Sequence, residues 1–314
     1  MNGKDKIAKI TLPTSFQKEG VNVYLIQGDI LTLVDAGQNV EGAWNVFTAQ
    51  LNSLGYQVKD IQQIFLSHAH VDHTGLVKFF NHDVTLIGHP ESERWLVPTT
   101  AFLEEHDAFY HDLFQRFRVP DHLAKPYLAY KHEQIVSNAQ RGLTKHVDEG
   151  AEIPGLPAWR ILQTFGHSQG HLSLFHPQDR ILIGGDVLLP HISPNPVIEP
   201  PQNRVDERLR PQLQLNETLR MLLTLSPEKV LPGHGKDILH PNELIQLRLR
   251  SQHERAMQVR EWLKDESMTV FEVCQRLFPK SYQSSIGLAL FETAGQIDYL
   301  SALDLITKDR IKGF

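Results

Sequence analysis

The chain has 314 residues, 41% of them hydrophobic and 22% charged, which excludes a disordered polymer and suits one large domain or a core with an appendage. A net charge of −6 argues against a nucleic-acid binder, which ordinarily carries a basic surplus. A single cysteine, Cys274, excludes a disulfide framework and any multi-thiolate metal site.

In chain order, apolar runs at residues 21–27 and 30–35, parted by Gly28-Asp29, read as a strand hairpin. Val40, Ala43, Trp44, Phe47 and Leu51 recur at three and four, predicting an amphipathic helix over 40–54. A strand over 61–66, a polar histidine cluster, a helix over about 72–80 and a strand over 84–88 follow. Residues 91–150 break this rhythm. Phe102, Phe109, Tyr110, Phe114, Phe117, Tyr127 and Tyr130 lie there at mostly helical spacing, predicting a helical insertion. Strands return at 159–164, 171–176 and 181–185, and the prolines of 190–201 exclude regular pairing. A helix over about 213–225 leads to a strand at 229–231. Beyond Pro241, helical patterns at 243–264, 270–277 and 284–302 predict a helical appendage. Strand–helix alternation on both sides of the insertion suits an α/β sandwich of two sheets with helices outside.

Seventeen histidines against one thiol mean that any metal sits on nitrogen and oxygen ligands. The strongest signal is Ser67-His68-Ala69-His70-Val71-Asp72-His73, after an apolar strand and before a helix. Four metal-competent side chains within six residues cannot share one face of a regular element, but a tight turn converges them. His68 and His70 can then face one cation, and Asp72 and His73 a second. His167 in Phe165-Gly166-His167, Asp186 in Gly184-Gly185-Asp186 and His234 in Pro232-Gly233-His234 also follow strands, each behind a glycine that permits a sharp turn. Asp35 either accepts a ring N–H from a ligand histidine or is a strand-end turn residue. His171 either supports a ligand or simply opens the strand at 171–176. His106, His111 and His191 are expected to face solvent or line a cleft.

The set His68, His70, Asp72, His73, His167, Asp186 and His234 resembles the binuclear signature of the metallo-β-lactamase superfamily, closer to its glyoxalase II and lactonase-like branches than to true β-lactamases. Val34-Asp35-Ala36-Gly37 resembles the family's second-strand element. The resemblance spans about residues 8–240. It implies an αββα sandwich of two mixed sheets, with a catalytic domain over 1–240 and a separate helical C-terminal domain over 241–314. It further implies that His68, His70 and His167 hold a first metal, that Asp72, His73 and His234 hold a second, and that Asp186 bridges them. Two divalent ions, zinc first and iron or manganese as alternatives, would share a hydroxide for hydrolysis of an ester, thioester or lactone. Asp72 would orient or receive the proton, and Asp72 and Asp186 would be the catalytic carboxylates. No G-x-S-x-G or phosphate-binding glycine motif offers another mechanism.

The tail, through Arg255, residues 270–279 and residues 292–300, resembles the small helical or winged-helix-like appendage of the lactamase-β-like branch. That branch keeps a phosphodiesterase or ribonuclease open as an alternative, and a related di-iron redox protein is a third reading. Arg248, Arg250, Arg255 and Arg260 on one helix read as a solvated face rather than a phosphate track. Cys274, in an apolar helical pattern, is expected to be buried and inert. The aromatics of 91–150 either line a cleft over the metals, favouring an apolar or bulky small-molecule substrate, or are ordinary core. The Pro-rich segment after Asp186 could form the opposite wall. A homodimer is compatible with such a lid and tail. No run reaches the roughly 18 uncharged apolar residues of a membrane span, and no signal-peptide core follows residues 1–6, so a cytoplasmic protein is expected.

Overall fold

The computed structural model describes residues 6–15, 19–202 and 208–314. Lys6–Leu12 (β1), Val21–Gln27 (β2), Leu31–Val34 (β3), Gln63–Phe65 (β4), Thr85–Gly88 (β5) and Lys145–His146 (β6) form one sheet in that spatial order. Strands β1 to β3 run as an antiparallel meander, and β3 to β6 run parallel. Arg160–Gln163 (β7), Leu172–His176 (β8), Ile181–Gly185 (β9) and Lys229–Pro232 (β10) form a second sheet of order β10-β9-β8-β7, with β9 and β10 parallel. Strand β1 was not expected from the sequence. Its buried Ile10 and Leu12 alternate with exposed Lys9 and Thr11, and the two lysines mask the period.

Alternation along each strand divides the apolar side chains between layers. Tyr24 and Ile26 of β2, Val34, Phe65 and Ile87 meet Ile161, Leu172, Leu174, Ile183 and Leu231 between the sheets. The other face of the first sheet, with Val23, Leu25 and Ile64, is covered by Ala43–Ser53 (α1) through Phe47 and Leu51. On the far face of the second sheet, Phe175, Leu182 and Val230 pack on Leu215, Leu219 and Leu222 of Pro211–Leu225 (α6). The result is the expected αββα sandwich.

The segment after the histidine cluster departs from the expected helix over 72–80. Val71–Thr74 (α2) makes one turn, and Val77–Phe79 forms a separate 3₁₀ turn. A β-carbon on the intervening Gly75 would collide with the backbone nitrogen of Asn39, so only glycine fits where the chain passes the segment after β3.

Between β5 and β6 lie Glu93–Leu96 (α3), Thr100–Arg116 (α4) and Asp121–Val136 (α5). The tail comprises Pro241–Asp265 (α7), Val270–Leu277 (α8), Ile286–Ala302 (α9) and the parallel pair Met268–Thr269 (β11) and Ile311–Lys312 (β12). Insertion and tail share one hydrophobic core. Tyr110, Phe114 and Phe117 of the insertion are buried against Val259, Cys274, Leu290 and Phe291 of the tail. The aromatics at helical spacing are thus largely core, and burial pushes the Cys274 thiol up to about 11. His106 is buried too, 1% exposed among Trp95, Phe102 and Tyr110, which corrects the expectation of a solvent- or cleft-facing position. His111 and His191 are exposed.

The arginines of α7 are not a free basic track. Arg248 donates to the carbonyls of Leu189 and Pro190, and Arg255 pairs with Glu292. A buried chain of amides, Gln212 to Asn216 to Gln252 to Gln296, joins α6, α7 and α9 by hydrogen bonds of 3.0 Å each. Among the described residues, no helix is long and apolar enough to cross a membrane.

Candidate metal centre

The C-terminal ends of β4, β7, β9 and β10 meet at one edge of the sandwich. The N–H of Leu172 donates to Ser67 O at 2.7 Å, and that of Asn22 to Gly233 O at 2.7 Å, stitching the two sheets there. Each strand ends just before a ligand candidate, so the edge collects His68, His70, Asp72 and His73 from after β4, His167 from after β7, Asp186 from after β9 and His234 from after β10. All seven sequence candidates are brought together.

Three groups of donor atoms converge, each within 4.8 Å: His68, His70 and His167; Asp72, His73 and His234; and His68, His73 and Asp186. His70 Nδ1 lies 3.0 Å from His68 Nε2 and 3.0 Å from His167 Nε2. Asp186 reaches both clusters, with Oδ2 at 3.6 Å from His167 Nε2 and 3.4 Å from His234 Nε2, and Oδ1 at 3.5 Å from His73 Nε2. Asp72 Oδ2 stands 3.2 Å from His234 Nε2.

Partners behind the rings fix which nitrogen faces inward. His73 Nδ1–H donates to Asp35 Oδ2 at 2.8 Å, His167 Nδ1–H to Asn195 O at 2.9 Å and His234 Nδ1–H to Gly20 O at 2.7 Å. His68 Nδ1–H meets Ser67 Oγ at 3.0 Å, while the Ser67 hydroxyl and N–H donate to the two oxygens of Asp35, each at 2.7 Å. Asp35 thus takes the first of its two open roles and supports both clusters. Its φ of 61° lies in the left-handed region, which an aspartate tolerates better than most residues. His171 stands behind Asp186. Its Nε2 accepts the backbone N–H of Asp186 at 3.0 Å, and its Nδ1 meets Thr164 Oγ1 at 2.7 Å, leaving no nitrogen for a metal.

These residues fit divalent cations. His73 Nε2 and Asp186 Oδ1 are buried polar atoms without a hydrogen-bond partner among the described residues, and they face one another. Buried polar atoms are rarely left so, and a cation accepting both satisfies them. Three inward lone pairs around His70 Nδ1 also exceed what shared hydrogens can pair. The donor set of nitrogen and carboxylate oxygen suits zinc, iron or manganese.

The electrostatics point the same way. Burial and neighbouring imidazoles hold His68 and His70 well below the ordinary histidine value, so both stay neutral donors. Burial opposes charge on His73 and His234 too, but the carboxylates around them prevail, Asp186 foremost. His73 lies well above its ordinary value and His234 at about 10. A cation must displace those protons, so binding weakens in acid. His171, by contrast, is pushed by burial down to about 3, in keeping with its role as a neutral acceptor.

Two glycines leave space for the ligands. A β-carbon on Gly233 would stand 2.2 Å from Asp186 Oδ1, and one on Gly185 would collide with Ser67 and His171. Four supports escaped sequence reasoning: Ser67, the carbonyls of Gly20 and Asn195, and Asn138. The last donates to the carbonyls of Ala69 and Trp95 at 3.0 and 3.1 Å and bonds the Thr74 hydroxyl, clamping the end of α5 to the ligand loop. Only Ser67, adjacent to the cluster, left any signal, because a backbone carbonyl has no residue-type signature and Asn138 lies 65 residues from the cluster.

The chain belongs to the metallo-beta-lactamase superfamily, whose family model matches residues 17–234. It is 38% identical over 312 residues to a Bacillus subtilis (strain 168) protein named "Probable metallo-hydrolase YqjP", covering 98% of this chain and 95% of that one. Among solved structures, the metallo-beta-lactamase family protein TTHA1429 of Thermus thermophilus matches with a TM-score of 0.77 at 24% identity, over 95% of this chain and 94% of that one. A beta-lactamase domain protein from Burkholderia ambifaria matches with a TM-score of 0.74 at 22% identity, over 95% and 86%. The fold therefore extends through the tail as well as the sandwich.

Proposed function

We propose that the protein is a binuclear metallo-hydrolase that cleaves a carbonyl ester, thioester or lactone. The observation that carries this reading is Asp186, whose two oxygens reach toward both histidine clusters and whose Oδ1 is buried without a partner. The name of the Bacillus subtilis relative, a metallo-hydrolase matched almost end to end, supports the same class.

His68, His70 and His167 would hold one cation, Asp72, His73 and His234 the other, and Asp186 would touch both. When bound, two such ions would supply a water whose pKa falls from about 15.7 toward 7 and a Lewis acid for the substrate oxygen. The chain's residues do the rest. Asp35, Ser67, Gly20 and Asn195 hold the imidazoles in the tautomers that present lone pairs inward. Asp72 Oδ2, beside His234, is placed to take the proton of the attacking water and pass it to the leaving group. Burial of six of the seven ligands keeps bulk water from the centre and strengthens each charge–dipole contact. His70 alone is half-buried, so the substrate enters on its side.

The test is a turnover screen of zinc-, iron- and manganese-loaded protein on thioesters, carboxylic esters, lactones, phosphodiesters and short RNA. Hydrolysis confined to the carbonyl substrates and abolished by a chelator is the expected result. Cleavage of phosphodiesters or RNA alone would replace the reading with the nuclease alternative.

A further inference from the structure

We infer that Lys131 anchors the substrate by pairing with a carboxylate that the substrate carries at a distance from the bond cleaved. This rests on the hydrolytic reading of the metal centre and names the class of acyl compound it takes.

Lys131 occupies an unusual position on α5. Ala124, Lys131 and Asn138 are seven residues apart and so share one side of the helix and its end. Ala124 is buried in the core shared with the tail, and Asn138, 2% exposed, is bonded to the ligand loop. The side carrying Lys131 therefore faces the protein, between that core and the metal centre. Polar surface helices place lysines outward, and a lysine on the inward side requires an explanation.

Its ammonium has no hydrogen-bond or ion-pair partner among the described residues. Two carboxylates lie within its electrostatic reach, Asp72 on the metal side and Glu199 on the side of the Pro-rich loop. Neither is free to pair with it. Asp72 is turned to His73 and His234, and Glu199, 4% exposed, accepts the N–H of Gln169 at 3.3 Å with Arg94 close by. Lys131 is half-buried, and burial lowers its pKa while the charges of Glu199 and Asp72 oppose that shift.

The location fits a ligand approaching the metals. Lys131 lies about two helical turns before Asn138, which holds the carbonyl of Ala69 next to His70, the one ligand candidate that is half-buried, and Ala69 and Val71 beside it are half-buried as well. A substrate entering at His70 therefore passes the ammonium. A single lysine matches a monoanionic carboxylate. A phosphoryl dianion generally calls for several donors or an arginine fork, and Arg94 is engaged with the carbonyls of Pro200 and Pro201.

The test is calorimetric titration of the full, zinc-loaded chain with glutarate, butyrate and 4-aminobutyrate, which share one carboxylate for the metals and differ at the far end. Wild-type protein is expected to prefer glutarate over butyrate by roughly ten- to hundredfold, the worth of one charged hydrogen bond. Lys131→Met, which keeps the apolar stem, should bring that ratio near unity. Lys131→Glu should turn the preference to 4-aminobutyrate. Lys131→Met should retain the wild-type zinc content and circular-dichroism spectrum. A wild-type ratio near unity, a ratio that survives Lys131→Met, or loss of zinc in Lys131→Met would each overturn the inference. Titration needs no turnover, so the two readings fail separately. Lysine-dependent glutarate preference in a protein that hydrolyses no acyl substrate sinks only the hydrolytic reading, and hydrolysis without that preference sinks only this one.

Discussion

Asp35 receives the Nδ1–H of His73 at 2.8 Å while the same carboxylate, through the Ser67 hydroxyl, steadies His68. One residue at the end of β3 thus orients a ligand in each histidine cluster. Asp35→Asn keeps a side chain that tolerates the left-handed backbone but cannot accept three hydrogen bonds on two oxygens. Metal affinity should fall by roughly 10–100-fold, as is usual when a support behind a ligand is lost. Competition against a chromogenic chelator measures it, and an unchanged affinity would remove Asp35 from the centre.

Asp186 is the residue whose carboxylate reaches both clusters. Asp186→Ala should lower metal content from near two equivalents per chain toward one and reduce turnover by roughly two to three orders of magnitude. The backbone N–H of residue 186 still finds His171, so the fold should persist. Elemental analysis together with circular dichroism separates loss of metal from loss of structure.

Glu199 gives a pH signature. Burial pushes its carboxyl up to about 7 against an unfolded value near 4.3. Between these values the native state holds a proton that the unfolded chain has released. The group's contribution to stability is therefore fully present below about 4.3 and lost as pH rises through 7. Relative to Glu199→Gln, wild-type protein should lose up to about 3 kcal/mol across that window. Urea unfolding of both proteins at pH 4.5, 6 and 7.5 checks the sign. Parallel curves would mean that Glu199 is not protonated in the native state.

The contact between insertion and tail is equally testable. A β-carbon on Gly287, at the start of α9, would stand 2.2–2.4 Å from the phenol ring of Tyr127 on α5. Gly287→Ala should destabilise the protein by about 1–3 kcal/mol through overpacking, and Tyr127→Ala in the same chain should relieve part of that loss. Denaturation midpoints of the single and double variants give the coupling. A neutral Gly287→Ala would show that the two helices are free to separate.

Much of this architecture was legible because clustered metal-competent side chains are hard to disguise. Four metal-competent side chains in six residues, and three more behind glycines at strand ends, declare a convergence that only a shared edge provides. The sandwich followed from alternating apolar runs, except at β1, where Lys6 and Lys9 hid the alternation. The supports were less visible, since Gly20 and Asn195 act through their carbonyls. Asp35 and His171 could be named but not decided, because an aspartate at a strand end and a histidine opening a strand look the same whether or not a ligand lies behind them. Least readable was the joint core of insertion and tail. Aromatics at helical spacing, such as Tyr110 and Phe114, carry no mark of whether they face a cleft or helices more than a hundred residues away.

Asn195 joins the tail to the chemistry. Its carbonyl receives the His167 ring, and its side-chain amide donates to Leu288 O in α9 at 2.8 Å. A tilt of α9 is thereby carried through one residue to the aim of an imidazole. In cobalt-substituted protein, the colour of the centre should then register perturbations made far out on the appendage, which makes the tail part of the tuning of the site and more than its cover.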